Sequence, residues 1–538
     1  MRSRPSPRVA YRPEAFTLAG EPAQIQQVIA ALQTNTALRR RLRADHLIVR
    51  VRPPRQPRVL RWRAGGWQPV TEEVARALAT VGAELPPITL VQFEATAEAR
   101  ARGVAPALPV PDFVDEVRDW IRTQGLTAVE ACRDHALSNP PDPHHAAQST
   151  PEHVYNSPEH VYNSPEHVYN SPSLIAPEES EFPIDQQVAL HRIGWSAWRR
   201  AGGHERGAGT TVVIFDSWPV FRNEIDFDDS RADLFIDYEP ATVPAEPLPD
   251  EEQGCNFTVR ARGGRYNAGL ARRLMPYHGP LCASLVRTLA PDARIVAVRV
   301  LDNDGNGYAS GISEAIRWIM SNPSVGGEPL LPDPRQVVFN LSLGVGRTQA
   351  EIVENCCLFY TIHNACLAGA FFVCAAGNDS TGRPENPVEP AAYGFYADSA
   401  ATAGRVFPVA GTAGPTTYAF FSNESHLGAP AVDIVMDPGP SQLKRESGGA
   451  NVRWRGTSFA TPLVTSTLAL LLSRPTLPTT DVKQYLWERA TRPQRWNGIA
   501  ELNLARTLAN TVVARPADAA ATHPDRTWNS GQGVAGGT

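Results

Sequence analysis

The spacing of hydrophobic positions in the first hundred residues predicts a small mixed domain. Ile25, Val28, Ile29 and Leu32 follow the i, i+3, i+4, i+7 spacing of an amphipathic helix. In four short segments, apolar residues alternate with polar ones or stand together, and these segments are predicted to be strands. A second helix is predicted between the third and the fourth strand. The strands are predicted at 15–19, 47–51, 60–62 and 88–93 and the second helix at 74–81. This β-α-β-β-α-β order predicts an α+β ferredoxin-like sandwich, followed by a helix with Phe113, Val117, Trp120 and Ile121 on one face.

From about residue 183 onward the pattern changes to short apolar runs separated by helical stretches. Several of these runs lack the period-two alternation of a half-exposed strand, which is typical of strands covered by helices on both faces. Strands are predicted at 211–215, 295–300, 337–341, 371–375 and 407–410, with helices at 312–320 and 352–368. The second part is therefore predicted to be a doubly wound, mostly parallel α/β domain.

A seven-residue repeat separates these two patterns. Residues 150–156 recur as 157–163 and 164–170, and a Ser-Pro pair every seven residues interrupts both helix and strand. We therefore predict an N-terminal α+β domain at 1–137, a flexible linker with SPEHVYN repeats at 138–182, the α/β domain at 183–513 and a disordered tail at 514–538. The repeated histidines, His153, His160 and His167, could bind a metal weakly, but a replicated spacer is the favoured interpretation.

Charge and cysteine content limit where the protein is expected to be located and what it is expected to bind. The net charge of −5 over 538 residues indicates no particular nucleic-acid or membrane partner. No apolar segment is long enough to span a membrane, and the N-terminus shows no apolar signal region. Seven cysteines without framework spacing favour a reduced, cytoplasmic setting. Ten arginines between Arg39 and Arg63 could form a nucleic-acid surface, but the solvent face of a small sheet is favoured.

Four polar residues at element ends carry the candidate chemistry. Ser458 follows Gly456 at the start of an apolar helix, where unpaired backbone N–H groups stabilise developing negative charge. That segment alone fits a helix N-cap equally well. His278 begins another apolar helix, while Asp216 and Asn378 each follow a buried strand. The carboxyl ends of parallel strands share one sheet edge, so these side chains are expected to meet there.

The segments around these residues resemble those of the subtilases, the subtilisin-like serine proteases of peptidase family S8. The resemblance rests on strand-Asp-Ser, His-Gly, strand-Ser-Leu-Gly, Ala-Ala-Gly-Asn and Gly-Thr-Ser-x-Ala-Thr-Pro, in that order along the chain. It implies a serine endopeptidase with Ser458 as nucleophile, His278 as general base and Asp216 as its partner. It also implies that Asn378 and the Ser458 backbone N–H form the oxyanion hole.

The resemblance further implies a substrate-binding cleft. Ser342, Leu343 and Gly344 would pair with an extended protein or peptide substrate, and Ala375, Ala376 and Gly377 would line the pocket for its side chain. The chain departs from the family pattern at Trp218, Pro280 and Phe459, which replace a small residue, a Thr or Ser, and a Met. No cofactor is predicted. Members of the family often bind calcium, but no site is recognisable by ligand spacing.

The N-terminal domain leaves more than one interpretation open. Subtilase propeptides commonly have a similar β-α-β-β-α-β order, so residues 1–137 could be a propeptide or a retained regulatory domain that binds a partner. We favour an intracellular protease that its N-terminal domain regulates. The alternatives are a catalytically impaired module that only binds peptides, and a protease gated by nucleic acid at the arginine cluster.

Overall fold

The structure is a computed structural model. It describes residues 11–42, 44, 47–52, 57–63, 66–70, 88–101, 112–138, 173–174, 188–221, 224–225, 232–238, 275–303, 305–321, 324–325, 328–331, 333–344, 357–378, 380, 386–395, 399–436, 452–474, 482–493 and 498–509. The SPEHVYN repeats, the predicted helix at 74–81 and the predicted tail at 514–538 lie outside these residues. Among the described helices, none is long and apolar enough to cross a membrane.

The N-terminal part contains most of the predicted elements. They are β1 (Tyr11–Gly20), α1 (Pro22–Thr34), α2 (Thr36–Arg41), β2 (Leu47–Arg52), β3 (Arg58–Arg63), β4 (Gly66–Pro69), β5 (Ile88–Ala95), α3 (Ala97–Ala101), α4 (Asp112–Thr123), β6 (Val129–Ser138) and β7 (Ser173–Leu174). Ile25, Val28, Ile29 and Leu32 are buried on α1, which confirms the predicted helix face. The face packs with α4 against the side chains of Phe16, Leu18 and Phe93.

The strands of this part do not all pair with one another. Its sheet runs β2-β5-β1-β6 with antiparallel neighbours throughout. The strand predicted at 60–62 exists as β3 but pairs with none of these four strands. Strand β6, which the sequence pattern did not predict, pairs with β1 at the end of this order. The strands predicted at 15–19, 47–51, 60–62 and 88–93 all occur in that order along the chain, and the ferredoxin-like sandwich stays a prediction.

The second part has the predicted alternation of strands and helices. Its elements are α5 (Val188–Arg192), α6 (Trp195–Arg200), β8 (Thr211–Ser217), β9 (Val220–Phe221), β10 (Glu224–Ile225), β11 (Leu234–Asp237), α7 (His278–Leu289), β12 (Arg294–Leu301), β13 (Asn306–Tyr308), α8 (Ala309–Met320), β14 (Ser324–Val325), β15 (Glu328–Pro329), β16 (Val337–Leu341), α9 (Cys357–Leu367), β17 (Phe371–Ala375), α10 (Ala400–Arg405), β18 (Val406–Gly414), β19 (Thr417–Tyr418), β20 (Leu427–Pro430), β21 (Ile434–Met436), β22 (Val452–Trp454), α11 (Thr457–Leu472), α12 (Val482–Arg489), β23 (Ala500–Glu501) and α13 (Leu504–Thr507).

The central strands form a parallel sheet with helices on both faces. The order is β11-β12-β8-β16-β17-β18-β20-β23, and each neighbouring pair is parallel. Side chains of one β8 face, such as Ile214, pack in a core with α7 and α11, and those of the other face, such as Phe215, pack in a core with α8 and α9. Every residue of β8 is buried. The doubly wound, mostly parallel α/β fold is therefore confirmed.

The hairpin β3–β4 joins the N-terminal part to this parallel sheet. Strand β3 pairs antiparallel with β11, from Arg58 opposite Asp237 to Arg61 opposite Leu234. Leu60 is 1% exposed and lies in the core on the α7 and α11 side, whereas Val59 is 4% exposed and lies in the core on the other side. The hairpin therefore adds hydrophobic side chains to both cores of the parallel sheet.

A second connection runs through β6. Its last residues pair antiparallel with β13, with Ser138 opposite Asn306. The N-terminal sheet also contacts α9, where the hydroxyl of Thr17 and the thiol of Cys357 are 2.8 Å apart. The described residues from Tyr11 to Leu508 belong to one compact unit. The boundaries predicted at 137 and 183 stay predictions, although Ser173-Leu174, assigned to the linker, form strand β7 against β22.

Arginines of the N-terminal cluster are used inside the fold. The guanidinium of Arg39 donates to the carbonyls of Leu32, Ala44 and Leu47 at 2.7–2.8 Å. Arg61 donates to the carbonyl of Val325 at 2.8 Å. These contacts support the structural interpretation of the cluster, and a nucleic-acid role stays untested.

Candidate active site

Asp216 and His278 form a buried pair at the carboxyl edge of the parallel sheet. Asp216 lies near the end of β8, and His278 is the first residue of α7; both side chains are 0% exposed. Nδ1 of His278 lies 2.8 Å from each carboxylate oxygen of Asp216. The backbone N–H of Ser217 also donates to Asp216 Oδ1, at 2.7 Å. The Asp216 carboxylate thereby fixes the imidazole with its Nε2 directed away from the pair.

Close packing holds the imidazole in this position. A Cβ on Gly279 would lie 2.4 Å from the carbonyl oxygen of Ser217, so only glycine lets the start of α7 approach the end of β8 this closely. The ring of Phe459 meets the His278 ring edge-on at 5.0 Å, and the Trp454 ring does so at 6.1 Å. The imidazole therefore lies in an apolar enclosure with few alternative orientations.

Ser458 lies in the first turn of α11, beside that enclosure. It is 2% exposed, and its hydroxyl donates to the carbonyl of Ser342 at 3.1 Å. Its neighbour Phe459 is the residue that packs on His278, so the nucleophile candidate and the base candidate are adjacent. The helix begins after Gly456, whose φ of +145° is a backbone conformation that L side chains rarely adopt.

A proline inside α11 frees the backbone carbonyl of Ser458. Pro462 lies four residues after Ser458 and has no N–H, so the ordinary helical hydrogen bond to that carbonyl cannot form. The carbonyl instead accepts from the hydroxyl of Ser342 at 2.8 Å and from the thiol of Cys282 at 3.6 Å. The nucleophile's backbone is thereby connected to β16 and to α7, the helix that carries His278.

Further side-chain amides and hydroxyls continue this network. Asn340 of β16 donates to the hydroxyl of Ser342 at 2.9 Å and accepts from the hydroxyl of Thr465 at 2.9 Å. All three side chains are fully buried, where an unpaired polar group would cost about 1–3 kcal/mol. The network fixes β16 relative to the start of α11.

Asn378 lies on the other side of Ser458. It follows β17 and is 5% exposed, and its Oδ1 accepts from the backbone N–H of Thr457 at 2.8 Å. Because Oδ1 is the acceptor, the Nδ2 group is the donor end of the amide and takes no part in this hydrogen bond. The oxyanion role of Asn378 and of the Ser458 N–H stays a prediction.

The predicted substrate-binding segments continue the two strands that flank this position. Ser342, Leu343 and Gly344 follow β16, and Ala375 ends β17 just before Ala376 and Gly377. A Cβ on Gly344 would lie 2.4 Å from Cγ2 of Val388, so the segment needs glycine for this approach. The backbone N–H of Val388 donates to the carbonyl of Ala376, which connects the two segments through the 386–389 stretch.

Within the described part of the chain, one cluster has metal-ligand spacing, and it coincides with this site. Ligand atoms of Asp216, His278 and Cys282 all lie within 4.8 Å of one another. Burial and the Asp216 carboxylate raise the pKa of the Cys282 thiol well above its usual range, so the thiol stays protonated at neutral pH. Nδ1 of His278 already faces Asp216, and the arrangement fits a hydrogen-bonded pair better than a metal site.

Two departures from the family pattern have structural explanations. Trp218 is 0% exposed and meets Phe235 edge-on at 6.3 Å, so it belongs to the hydrophobic core beneath the site. Pro280 lies in the first turn of α7, where no helical N–H is needed. Neither side chain takes the place of Asp216, His278, Ser458 or Asn378.

Sequence reasoning identified the four polar groups but not their supporting residues. Asn340, Cys282 and Thr465 were not singled out, since each lies in an apolar run with the pattern of ordinary core positions. Trp454 was not singled out either, and it lies between Arg453 and Arg455. A signal existed for one of them: Cys282 follows His278 by four residues and therefore lies on the same helix face.

Part of the chain is similar to known proteins. The model of the peptidase S8 Subtilase family matches residues 264–532, which are 269 of the 538 residues. The match includes His278, Asn378 and Ser458, while Asp216 lies before it. Subtilisin E of Bacillus subtilis (strain 168) is 29% identical over 305 residues, covering 56% of this chain and 63% of that protein.

Other relatives and a solved structure are also similar to part of this chain. Subtilisin of Bacillus pumilus is 29% identical over 305 residues, which cover 56% of this chain and 88% of that protein. A subtilisin-like protease of Coccidioides posadasii (strain C735) is 32% identical over 184 residues, covering 34% of this chain and 39% of that protein. A cold adapted subtilisin-like serine proteinase matches in structure with a TM-score of 0.36 at 22% identity, covering 57% of this chain and 91% of that chain. Given the family match over half its length, the chain belongs to the subtilase family.

Proposed function

We propose that this protein is a serine endopeptidase that hydrolyses peptide bonds through an acyl-enzyme on Ser458. The observation that carries the proposal is the buried Asp216–His278 pair packed against the first turn of the helix that bears Ser458. The family relatives named subtilisin and subtilisin-like protease support the same activity class.

The chemistry follows from the atoms at the site. The Ser458 hydroxyl turns from the Ser342 carbonyl to His278, which takes its proton on Nε2 as Oγ attacks the peptide carbonyl. Asp216 keeps the other imidazole proton on Nδ1 and stabilises the imidazolium. The oxyanion accepts hydrogen bonds from Asn378 Nδ2 and the Ser458 N–H. His278 then protonates the leaving amine. In the second half of the reaction, His278 takes a proton from water as the water attacks the acyl-enzyme. His278 then returns the proton to Ser458 Oγ as the acid is released.

The substrate class is an extended protein or peptide segment. The backbone of Ser342, Leu343 and Gly344 would pair with it as an added strand, and Ala375 to Gly377 would line the pocket for the side chain before the cut. No cofactor takes part in these steps.

A fluorophosphonate probe tests the proposal directly. We expect wild-type protein to be labelled at Ser458 and to cleave a library of peptides, and we expect Ser458→Ala to do neither. If the wild-type protein does not react with the probe but still binds extended peptides, the catalytically impaired binding module is favoured instead. Circular dichroism of both proteins controls for folding.

We further propose that the N-terminal part is retained and regulates the peptidase. The pairing of β3 with β11 and of β6 with β13 supports retention, because both pairings connect it to the sheet that carries Asp216. An intracellular location and a regulatory partner at this part remain predictions. Mass spectrometry of purified wild type and Ser458→Ala tests retention: loss of residues up to about 180 in wild type alone would indicate a self-cleaved propeptide.

A further inference from the structure

The stretch 386–389 lies between the two predicted walls of the substrate pocket, 342–344 and 375–377. The backbone N–H of Val388 donates to the carbonyl of Ala376 at 2.8 Å, which joins Val388 to one wall. At the other wall, a Cβ added to Gly344 would lie 2.4 Å from Cγ2 of Val388, so the valine side chain packs directly against the Gly344 backbone. Val388 therefore spans the gap between the two walls, and its side chain fills the gap at this level.

Hydrogen bonds fix the position of Val388. Its carbonyl accepts from the backbone N–H of Ala392 at 2.9 Å, and the residue is 7% exposed. Asn423 adds a second connection to the same wall, because its Nδ2 donates to the carbonyl of Asn386 and its backbone N–H donates to the carbonyl of Gly377, both at 3.0 Å. A β-branched side chain is restricted at χ1, so a valine on a fixed backbone has little freedom to turn aside.

The neighbouring Glu389 directs its carboxylate elsewhere. Glu389 is 2% exposed, and its Oε2 accepts from the hydroxyl of Tyr393 at 2.7 Å. The atoms nearest to a Cβ added at Gly344 are Cγ2 and Cβ of Val388 and the backbone carbonyl oxygen of Glu389. The groups that reach this wall from the stretch 386–389 are therefore an aliphatic side chain and a carbonyl, not a carboxylate.

We propose that Val388 limits the size of the residue that the protease accepts before the cut, and that this residue is small and apolar, such as alanine. A large side chain such as phenylalanine would have to displace a close-packed group on a fixed backbone, and overpacking of this kind is unfavourable. This inference rests on the proposed hydrolytic function and on the two predicted walls of the pocket.

Peptides that differ only in the residue before the cut test the proposal. We expect wild-type kcat/KM to be at least about tenfold higher for alanine than for phenylalanine, because one methylene group already changes selectivity by about 10–200-fold in an apolar pocket. In Val388→Gly we expect the ratio to fall below one, since the side chain that fills the gap is gone. In Val388→Leu the preference for alanine should increase.

A buried valine outside the pocket gives the matched control. Val296 of β12 is 0% exposed and lies in the core on the α8 and α9 side, so Val296→Ala should leave the alanine-to-phenylalanine ratio unchanged. If Val388→Gly does not fold, the opposite changes expected for Val388→Ala and Val388→Leu still decide. Equal hydrolysis after alanine and phenylalanine in wild type, or one ratio in all Val388 variants, would overturn the proposal. A preference for lysine or arginine would also overturn it and would point to Glu389.

Affinity measurements separate this proposal from the hydrolytic function. In the Ser458→Ala background, fluorescence anisotropy of the same labelled peptides should show tighter binding with alanine than with phenylalanine, and Val388→Gly should reverse the order. If wild type hydrolyses no peptide but this order holds, the proposed function alone fails. If wild type hydrolyses the peptides at rates that do not depend on the size of the residue, the function stands and the role of Val388 is overturned.

Discussion

At the scale of single residues, the site depends on groups that replace or redirect ordinary helical hydrogen bonds. Pro462 removes one donor from α11, and the carbonyl of Ser458 that it frees binds Ser342 and Cys282. Asn378 accepts the N–H of Thr457 at the start of the same helix. The nucleophile is thus fixed through its backbone on both sides, which leaves its hydroxyl free to change partners between Ser342 and His278.

Asn378 has two separable roles, and two substitutions distinguish them. Asn378→Ala removes the Nδ2 donor and the acceptor for Thr457, whereas Asn378→Asp keeps the acceptor and removes the donor. We expect kcat to fall by about 10²–10³ in both, a magnitude that belongs to the corresponding donor of subtilisin and is carried over by analogy. Loss of the helix-start acceptor should cost about 0.5–2 kcal/mol in the Ala variant only.

Steady-state kinetics and urea unfolding check these two effects. An Asn378→Asp protein with wild-type kcat would contradict the oxyanion role. Equal unfolding free energies for the Ala variant and wild type would contradict the capping role.

Lys483 gives the protein a pH-dependent stability away from the active site. Lys483 is half-buried, and its ammonium group donates to the carbonyls of Gly394 and Ala403 at 2.9 and 2.8 Å. Burial lowers the pKa of Lys483 to about 8 from its ordinary 10.5. Between these values the unfolded chain binds a proton that the folded protein has released, so stability rises with pH in that window.

The unfolding free energy of wild type minus that of Lys483→Met should therefore increase from pH 8 to pH 10.5. Below pH 8 the difference should be flat, because the lysine is charged in both states. Chemical denaturation at half-unit pH steps measures it. A difference that falls as the pH rises would show that the ammonium is better stabilised in the fold than in water.

At the scale of elements, the hairpin β3–β4 is the least expected feature. Leu60 lies in the same core as residues of α7 and α11, although more than two hundred residues of sequence separate them. Trp67 of β4 packs against Phe235 of β11, with ring centroids 6.0 Å apart. The hairpin is therefore a part of the parallel sheet's packing, not an appendage.

Truncation of Leu60 should accordingly destabilise the whole protein. We expect Leu60→Ala to lower the unfolding free energy by about 2–5 kcal/mol, since it leaves a cavity in a close-packed core. Val51→Ala is the matched control, because Val51 lies on β2 and is 41% exposed. Guanidinium unfolding of both variants gives the comparison. If Leu60→Ala and Val51→Ala lower the unfolding free energy by the same small amount, the hairpin does not share the core.

The local sequence pattern predicted the elements better than it predicted which strands pair. The strand at 337–341 and the face of α1 were predicted correctly because burial sets their periodicity within a few residues. Strand β6 was missed, since its sequence Val-Glu-Ala-Cys-Arg-Asp-His mixes charges into both alternating sets. The partner of β3 was also missed, because alternation identifies a strand but carries no information about which distant edge it covers. The site motifs were found because each is contiguous, whereas the pairing of β3 with β11 joins segments that lie far apart in the sequence.

At the scale of the whole molecule, the N-terminal part should stay bound even when the chain is cut. Strand β3 covers the edge of β11, and its removal would expose an unpaired edge together with the core space filled by Val59 and Leu60. Replacing residues 157–163 by the recognition site of a specific protease allows the chain to be cut between the two parts. We expect the two fragments to elute together in size-exclusion chromatography and to keep wild-type activity on a short peptide.

A variant with a disrupted hairpin controls this experiment. Leu60→Asp places a charge in the core, so its cut fragments should separate, and the larger fragment should lose stability because the edge of β11 is then uncovered. If the two fragments of the cut protein with an unsubstituted hairpin separate in buffer, the proposal that the N-terminal part is retained is contradicted. Separation with full activity of the larger fragment would further show that the hairpin is dispensable for the Asp216–His278 pair. Co-elution with activity would instead show that β3 stays paired with β11 in the sheet that carries Asp216.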